Sequence, residues 1–306
     1  MELPQIYCDK GWSLLKFGSR YYEKAKGSFE KALEKEPENS EFNSGYAITV
    51  YRLEDHFAEK PSKLSLEPLR LAVKLNPDDV FVVPLLAIKL QEIKKMEEGE
   101  NYIKEALQKH PDIPYILRKQ YLVMKNESQY GKCQVKDKME ELLRCCIYYF
   151  QKVVERKPKF FYPTIDLVKM YVEQGQLHKA DEIYQKLFTT SNHLTSLEKQ
   201  QLNFNFGCFQ QFDRGSPSEA IKHYLATLKI ENESFERDKC KRILKRLVEN
   251  KIRKGKTDAE NFAILGFIHQ LDGKKQQALE AYEEALNIDP ENEEYFSAIL
   301  KLKLFL

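Results

Sequence analysis

Residues 261–290 read NFAILGFIHQLDGKKQQALEAYEEALNIDP, and this stretch decides the fold. Helical patterns lie on both sides of the turn at Gly273, and Pro290 ends the second pattern. Small residues within the two helices would allow them to approach closely, where a bulky side chain would force them apart. Small, apolar and aromatic residues stand at fixed intervals. They are Phe262, Leu265, Gly266 and His269 in the first helix and Ala278, Tyr282 and Ala285 in the second.

The same arrangement recurs along the chain. Residues 164–188, TIDLVKMYVEQGQLHKADEIYQKLF, repeat it through Leu167, Tyr171, Gly175, Ala180 and Tyr184. Residues 11–39, GWSLLKFGSRYYEKAKGSFEKALEKEPEN, repeat it through Trp12, Ser13, Ala25, Phe29, Ala32 and Pro37. These intervals are those of the tetratricopeptide repeat, a helix-turn-helix unit of about 34 residues. The sequence therefore predicts an all-α tetratricopeptide-repeat superhelix, which is a solenoid of helix-turn-helix pairs.

The spacing of small residues predicts how the repeats are grouped. Ser13, Ala47 and Ala87 occupy the eighth repeat position, and the longer second interval indicates a polar, proline-bearing loop over residues 56–65. The repeat register is lost again near residue 126. We predict an N-terminal tetratricopeptide block over 1–125, an irregular loop over 126–136, and a C-terminal block over 137–306 with a basic segment at 239–256.

Composition excludes several classes of protein. The chain has 306 residues, a net charge of +2 and six cysteines without a metal-type CxxC pair, which is typical of reduced thiols in a cytosolic protein. The opening MELPQIYCDK lacks a signal-peptide pattern, and the most apolar stretch is too short to cross a bilayer. No nucleotide-binding, hydrolase or metalloprotease motif occurs. We expect a cytoplasmic protein that is not an enzyme and has no cofactor or metal.

Aromatic and cationic residues fall together at the template positions that face the concave wall. A single-stranded nucleic acid suits such a wall, because bases stack on rings while phosphates pair with Arg and Lys. Two other interpretations stay open, since most aromatic residues pack in cores and a basic groove also binds acidic peptides. The wall residues are Tyr51, Arg52, Tyr115, Arg118, Tyr162, Lys169, Phe204 and Phe212.

A local basic segment strengthens the nucleic-acid hypothesis. Nine lysines and arginines lie between Lys239 and Lys256 in a nearly neutral chain, so this region would attract polyanions. The helical pattern places Lys241, Lys245 and Arg246 on one face and turns Ile243, Leu244 and Leu247 to the core.

Lys16 is unexpected in this pattern. Counted back from Pro37, it falls where the repeat has a core aromatic residue. A lysine buried among apolar helices is costly unless it is paired or reaches water.

The sequence resembles the family of interferon-induced proteins with tetratricopeptide repeats. The resemblance covers nearly the whole chain and includes residues 11–39, quoted above, together with EFNSGYAITVYRLE, LRLAVKLNPD, EGENYIKEAL, LGFIHQLDG and AYEEALNIDPEN. It implies an all-helical, cytoplasmic antiviral protein whose relatives bind single-stranded RNA ends, including 5′-triphosphate ends, in a basic tunnel. It also implies that the chain begins at the relatives' middle subdomain and lacks about one helix pair or more after Lys125.

The resemblance implies RNA-binding roles for particular residues. Lys16 matches a lysine that faces the RNA channel, and the other matched residues are Tyr22, Arg52, Tyr115, Arg118, Phe160, Tyr162, Lys239 and Arg246. The first hypothesis is therefore an RNA-binding effector of the interferon-induced innate antiviral response. The alternative is a protein-interaction scaffold that has lost RNA binding and acts through peptides or hetero-oligomers. The expected partners are single-stranded RNA and related tetratricopeptide proteins, with no membrane and no small-molecule substrate.

Overall fold

The chain is described by a computed structural model over residues 3–57, 62–110, 113–116, 118, 119, 121, 136–255 and 258–304. It divides into two compact units, one of residues 1–194 with 233–235 and the other of residues 195–232 with 236–306. The predicted loop at 126–136 lies outside the described residues except for Lys136. The division of the repeats into blocks at that loop therefore stays a prediction.

The first unit is built from α-helices that follow one another closely along the chain. Short 3-10 turns cover Ser19–Tyr21 and Ser191–His193, and residues 114–116, 118, 119 and 121 are also helical. The helices are α1 (Pro4–Lys16), α2 (Tyr22–Leu33), α3 (Ser40–Phe57), α4 (Leu66–Leu75), α5 (Val82–Glu92), α6 (Met96–Lys109), α7 (Lys136–Arg156), α8 (Phe161–Glu173) and α9 (Leu177–Thr189).

The second unit has the same organisation. A π-helical turn over Phe209–Asp213 extends its first helix. Its helices are α10 (Ser196–Cys208), α11 (Pro217–Lys229), α12 (Phe235–Arg253), α13 (Ala259–Leu271), α14 (Lys275–Ile288) and α15 (Glu293–Leu304).

Neighbouring helices in the chain are also neighbours in space. In the first unit α1 packs on α2, α2 on α3 and α5 on α6, and in the second unit α13 packs on α14 and α14 on α15. The described residues contain no β-strand. These contacts confirm the predicted all-α tetratricopeptide-repeat fold of helix-turn-helix pairs.

Glycines facing aromatic rings set the spacing between the helices of a pair. A Cβ atom added at Gly266 would lie 2.8 Å from the Tyr282 ring, and one added at Gly207 would lie 2.6 Å from the Tyr224 ring. In the first unit, the Phe29 ring has no solvent exposure and lies between Gly11 and Gly45. A side chain at any of these glycines would separate helices that now touch.

The first repeat corrects the register that the sequence predicted. Ser13 is exposed, so it is not the small residue between α1 and α2; Gly11 has that role. Gly11 is the eighth residue of α1, as Gly266 is of α13. The connection from α1 to α2 contains a 3-10 turn and is two residues longer than the connection from α13 to α14. Counting back from Pro37 across it therefore gives a register that is wrong by two positions.

The corrected register explains Lys16. Leu14, which packs partly buried against the core of the first unit, takes the place expected for the aromatic residue. Lys16 is the last residue of α1 and is exposed. Its ammonium group near the C-terminal end of a helix is electrostatically favourable. Lys16 is therefore not a buried lysine.

A buried ion pair anchors Ser65, directly before α4. Glu54 of α3 accepts hydrogen bonds from the backbone N–H of Ser65, at 3.0 Å, and from the Ser65 hydroxyl. Lys89 Nζ of α5 lies 2.8 Å from Glu54 Oε1 and 2.9 Å from Glu92 Oε2. The Glu54 and Lys89 side chains are only 4% and 3% exposed. Each charge is thus compensated where water cannot reach it.

The glycine contact gives a direct test of the packing. In Gly45→Ala the new Cβ would lie 2.2 Å from a Phe29 ring carbon, so the helices must shift. We expect a loss of about 1–3 kcal/mol in the free energy of unfolding, measured by urea denaturation followed by circular dichroism. Gly27→Ala in α2 is the matched control, because no heavy atom lies within 4 Å of the added Cβ. It should stabilise the fold by about 0.5–1 kcal/mol; equal effects of the two changes would contradict this packing.

The Glu54 site predicts an acid-dependent loss of stability. Burial alone raises the pKa of Glu54, but hydrogen bonds from Lys89, Ser62 and Ser65 outweigh it and lower the pKa from 4.5 to about 2. A depressed carboxylate pKa stabilises the fold above the unfolded value, and the contribution falls as the pH drops from about 4.5 towards about 2. Between pH 7 and pH 3 we expect the native chain to lose about 2 kcal/mol more of its unfolding free energy than Glu54→Gln does. Parallel urea curves at both pH values measure this difference, and identical losses would refute it.

Candidate nucleic-acid interface

Tyr22 and Arg52 form the first part of the interface in the first unit. Tyr22 begins α2 and is half-buried, whereas Arg52 lies on α3 and is exposed. The Arg52 guanidinium carbon lies 5.9 Å from the centre of the Tyr22 ring, within the range of a cation–π interaction. The ring thereby holds the guanidinium in place while its edges stay accessible to solvent.

Tyr115 is the centre of a larger group of charges. Its ring lies 5.7 Å from the Phe81 ring, and Lys119 Nζ lies 5.3 Å from its centroid. Burial raises the pKa of Tyr115 to about 12, while the positive charges of Arg118 and Arg52 act to lower it. Both arginines thus act electrostatically on the same phenol, although Arg52 and Arg118 are far apart in sequence. The carboxylates of Asp166 and Asp79 act in the opposite direction and raise this pKa.

Arg118 connects this group to α8. Its Nε lies 3.5 Å from Asp166 Oδ1, and the two side chains are 19% and 23% exposed. At that separation the ion pair is long for a hydrogen bond. Within the described part of the chain, the buried Nε–H has no hydrogen-bond acceptor. Arg118 thus has a buried donor that an anionic ligand could satisfy.

The first turns of α8 add aromatic residues to the interface. Tyr162, Asp166 and Lys169 are spaced to share one face of α8, the face that meets Arg118. Tyr162 is 54% exposed and Phe160 is 46% exposed. Lys157 Nζ lies 5.8 Å from the centre of the Phe160 ring. Aromatic rings and cations are therefore interleaved at this end of the helix.

The remaining predicted residues of the first unit are placed separately. Lys16 and Tyr22 are on opposite sides of the 3-10 turn Ser19–Tyr21. Tyr51, predicted on the wall, is half-buried and packs against the core.

The basic helix α12 of the second unit has one side whose lysines form ion pairs and another side whose basic residues are exposed. Lys241 Nζ lies 2.6 Å from Asp272 Oδ1, and Lys245 Nζ lies 3.9 Å from Glu249 Oε1. Lys239, Arg242 and Arg246 are exposed and spaced three and four residues apart. The predicted grouping of Arg246 with Lys241 and Lys245 is therefore wrong, because Arg246 lies with Lys239 and Arg242. We call these three residues the α12 ridge.

The buried side of α12 and the aromatic residues of α10 also differ from the sequence pattern. Cys240, Leu244 and Val248 are fully buried, while the predicted core residues Ile243 and Leu247 are only partly buried. Phe204, predicted on the wall, is 7% exposed and belongs to the core of the second unit. Its ring is nevertheless 5.7 Å from Lys239 Nζ. Phe212 is 68% exposed, as predicted for a wall residue.

The sequence analysis did not identify three residues of the interface, namely Asp79, Phe81 and Asp166. Asp79 accepts hydrogen bonds from the N–H groups of Phe81 and Val82 at the start of α5, and from the Ser44 hydroxyl. It thereby holds Phe81 beside Tyr115. The Asn-Pro-Asp-Asp turn before α5 predicts a capping carboxylate but not its electrostatic effect on Tyr115. The sequence could have indicated Asp166, because its spacing places it on the same face of α8 as Tyr162 and Lys169.

A metal site and a membrane span are two other features that these residues could form. Over the described ranges, no group of three or more His, Cys, Asp or Glu residues is arranged to hold a metal ion. Among the described helices, none is both long enough and apolar enough to span a membrane.

Comparison with known proteins identifies the family. A tetratricopeptide repeat model matches residues 259–292. The antiviral innate immune response effector IFIT1 of Homo sapiens is 38% identical over 332 residues, covering 94% of this chain and 69% of the relative. Interferon-induced protein with tetratricopeptide repeats 2 of Homo sapiens is 32% identical, covering 94% and 69%. The chain belongs to the family of interferon-induced proteins with tetratricopeptide repeats.

A solved structure of an interferon-induced relative is similar in three dimensions. It is described as a human IFIT1 dimer with PPP-AAAA, and it matches with a TM-score of 0.57 and 38% identity over 94% of this chain and 74% of that one. The sequence alignment with IFIT1 spans 332 positions, more than the 306 residues of this chain. IFIT1 therefore has residues inside the aligned region that this chain lacks. That agrees with a shortened middle region, whose predicted place after Lys125 stays a prediction.

Proposed function

We propose that this protein is an RNA-binding effector of the interferon-induced innate antiviral response. Family membership supports this function, as do solved structures of IFIT1 described with PPP-AAAA and with m7Gppp-AAAA. The observation that carries the proposal is the group formed by Arg52, Tyr115 and Arg118. Two guanidinium groups that act on one phenol, together with the exposed rings of Phe160 and Tyr162, match what a single RNA strand requires.

The contacts suggest a role for each part of the interface. Arg118 offers a buried N–H donor and Arg52 an exposed guanidinium, so both would bind phosphate oxygens. Charge-assisted hydrogen bonds of this kind are strong, and guanidinium groups match phosphate geometry. Phe160 and Tyr162 expose rings on which unpaired bases would stack. Tyr22 would act through Arg52, whose orientation it fixes.

A phosphate that binds Arg118 has to compete with the carboxylate of Asp166. In the ligand-free chain its carboxylate compensates Arg118 at 3.5 Å. A phosphate would have to share or replace this partner, so the net gain depends on how well the arriving oxygens satisfy Nε–H. We propose a preference for single-stranded RNA with a highly charged 5′ end, since several phosphate oxygens near one another would compete best with a carboxylate.

The α12 ridge would supply sequence-independent phosphate contacts in the second unit. Lys239, Arg242 and Arg246 are exposed along one side of α12, at a spacing that follows an extended strand rather than a single anion. Lys16, exposed at the end of α1, would add a further phosphate contact in the first unit. We infer that the protein acts by binding and not by catalysis, and that it does so in the cytoplasm.

Protein interaction is the second candidate function. A solved IFIT1 is described as a dimer, and another as a monomeric mutant in which two leucines were replaced by glutamate. A scaffold that has lost RNA binding and pairs with itself or with related tetratricopeptide proteins would show no RNA affinity. The following experiment distinguishes this outcome from the RNA-binding proposal.

Salt dependence tests the proposed function. Fluorescence anisotropy should show binding of short single-stranded RNA, tightest with a 5′-triphosphate, and affinity should fall steeply as salt rises. Each phosphate contact with a single strand contributes about −0.7 to the log–log slope. Replacing Lys239, Arg242 and Arg246 together with Gln should therefore flatten the slope by up to about 2. Helicity should not change.

The control variant uses the same helix. Lys241→Gln with Lys245→Gln removes two charges that Asp272 and Glu249 already compensate. It should alter the slope much less than the ridge variant does. Absence of RNA binding at low salt, or a slope near zero in the native chain, would contradict the proposed function and favour the scaffold.

A further inference from the structure

The end of α10 departs from α-helical geometry. Phe209–Asp213 form a π turn, in which the N–H of Arg214 donates to the carbonyl oxygen of Phe209 at 3.0 Å. This hydrogen bond spans five residues, whereas each hydrogen bond of an α-helix spans four. Turns of this kind are rare and occur frequently at functional sites. The side chains of the π turn are therefore candidates for a role beyond packing.

The π turn separates two phenylalanines that an α-helix would place together. Phe209 and Phe212 are three residues apart, which is the spacing of neighbours on one face of an α-helix. The Phe209 ring is 2% exposed and its centre lies 6.0 Å from that of the buried Phe206 ring. Phe212 is 68% exposed. The wider turn thus leaves Phe209 in the core and directs Phe212 to solvent.

Contacts on both sides of Phe212 hold the π turn in place. The Tyr224 hydroxyl of α11 donates a 2.8 Å hydrogen bond to Gln211 Oε1, directly before Phe212 in the chain. The Tyr224 ring itself is fully buried. On the other side, the Arg214 guanidinium carbon lies 5.6 Å from the centre of the Phe209 ring. An exposed ring on a backbone fixed in this way loses little conformational freedom when it binds a ligand.

The α12 ridge supplies cations on the helix that α10 faces. Lys239 Nζ lies 5.7 Å from the centre of the Phe204 ring, and this contact aligns the two helices. Only α11 and two short connections separate α10 from α12, so both helices run in the same direction. Phe212 is eight residues beyond Phe204, and Arg246 is seven residues beyond Lys239. At about 1.5 Å per residue, Phe212 and Arg246 therefore lie towards the same end of the two helices.

We propose that Phe212 is a base-stacking residue for single-stranded RNA, displayed by the π turn beside the phosphate contacts of the α12 ridge. This inference rests on the proposed function. Every unpaired base offers a π face to an exposed ring, while a neighbouring cation binds the adjoining phosphate. The subsite accepts an unpaired base of any identity and rejects a duplex, whose bases are stacked on one another.

Removal of the ring tests the subsite. Phe212→Ala should weaken binding of 5′-triphosphate single-stranded RNA by about 5-fold or more, as the loss of one stacked base requires. The salt slope should not change, because no phosphate contact is lost. Phe212→Trp should restore native affinity, since it presents a ring again. Tyr148→Ala on α7 is the matched control, because Tyr148 is 53% exposed and should be dispensable for RNA binding.

A fluorescent base locates the stacking contact directly. RNAs that carry 2-aminopurine at successive positions should show extra quenching at one position in the native complex, because stacking on a ring quenches this base. Phe212→Ala should abolish that quenching and leave the other positions unchanged. Tyr224→Phe removes the hydrogen bond to Gln211, so it should weaken the quenching at the same position, as expected of a positioning residue.

The outcomes separate this inference from the proposed function. Native RNA affinity in Phe212→Ala, with the same quenching pattern as in the native chain, would overturn the stacking role and leave the proposed function intact. That result would favour Phe212 as an apolar anchor for a protein partner. Absence of RNA binding by the native chain at low salt would overturn both proposals.

Discussion

The contact between a glycine on one helix and an aromatic ring on the next fixes how closely the helices of this protein approach. Phe29 lies between Gly11 and Gly45, Tyr224 lies against Gly207, and Tyr282 lies against Gly266. The ring fills the space that a side chain would otherwise occupy, so the helices pack at native density without a cavity. Each such contact also fixes the rotation of both helices about their axes. That rotation determines which residues face the core and which face solvent.

The candidate interface depends on this fixed geometry. Arg52, Tyr115 and Asp166 belong to different elements, and Arg52 and Asp166 act electrostatically on Tyr115 only because the helices that carry them are held in register. Arg118 then lies between a phenol and a carboxylate, with its Nε–H buried. The site is thus partly neutralised before any ligand arrives, and an RNA phosphate would have to compete with Asp166. In the second unit, the α12 ridge is exposed because Cys240, Leu244 and Val248 fix the opposite side of the helix in the core.

Local patterns predicted the fold and the exposure of some candidate interface residues. The intervals around Gly266, Tyr282 and Pro290 were enough for the repeat fold, because both helix spacing and turn position are set by nearby residues. The same template predicted the exposed Arg52 and Tyr162, since a helix turns by a constant angle per residue. It was wrong for Ser13 and Lys16 because the turn after α1 is two residues longer, which a count from the distant Pro37 cannot detect. Asp166 and Asp79 were missed as neighbours of Tyr115, because contacts between elements depend on packing rather than on spacing within one helix.

We propose that Arg52 and Arg118 bind one RNA strand together, and the RNA affinities of single variants test this proposal. Arg52→Ala, Arg118→Ala and Lys16→Met should be compared with the native chain by anisotropy titration of 5′-triphosphate single-stranded RNA, with melting temperature measured in parallel. We expect each arginine variant to lose about 10-fold or more in affinity, as the loss of a charged hydrogen bond requires. Lys16→Met should lose less, because Lys16 is an exposed residue at a helix end, and it should not lower the melting temperature. Native affinity in both arginine variants would contradict the account.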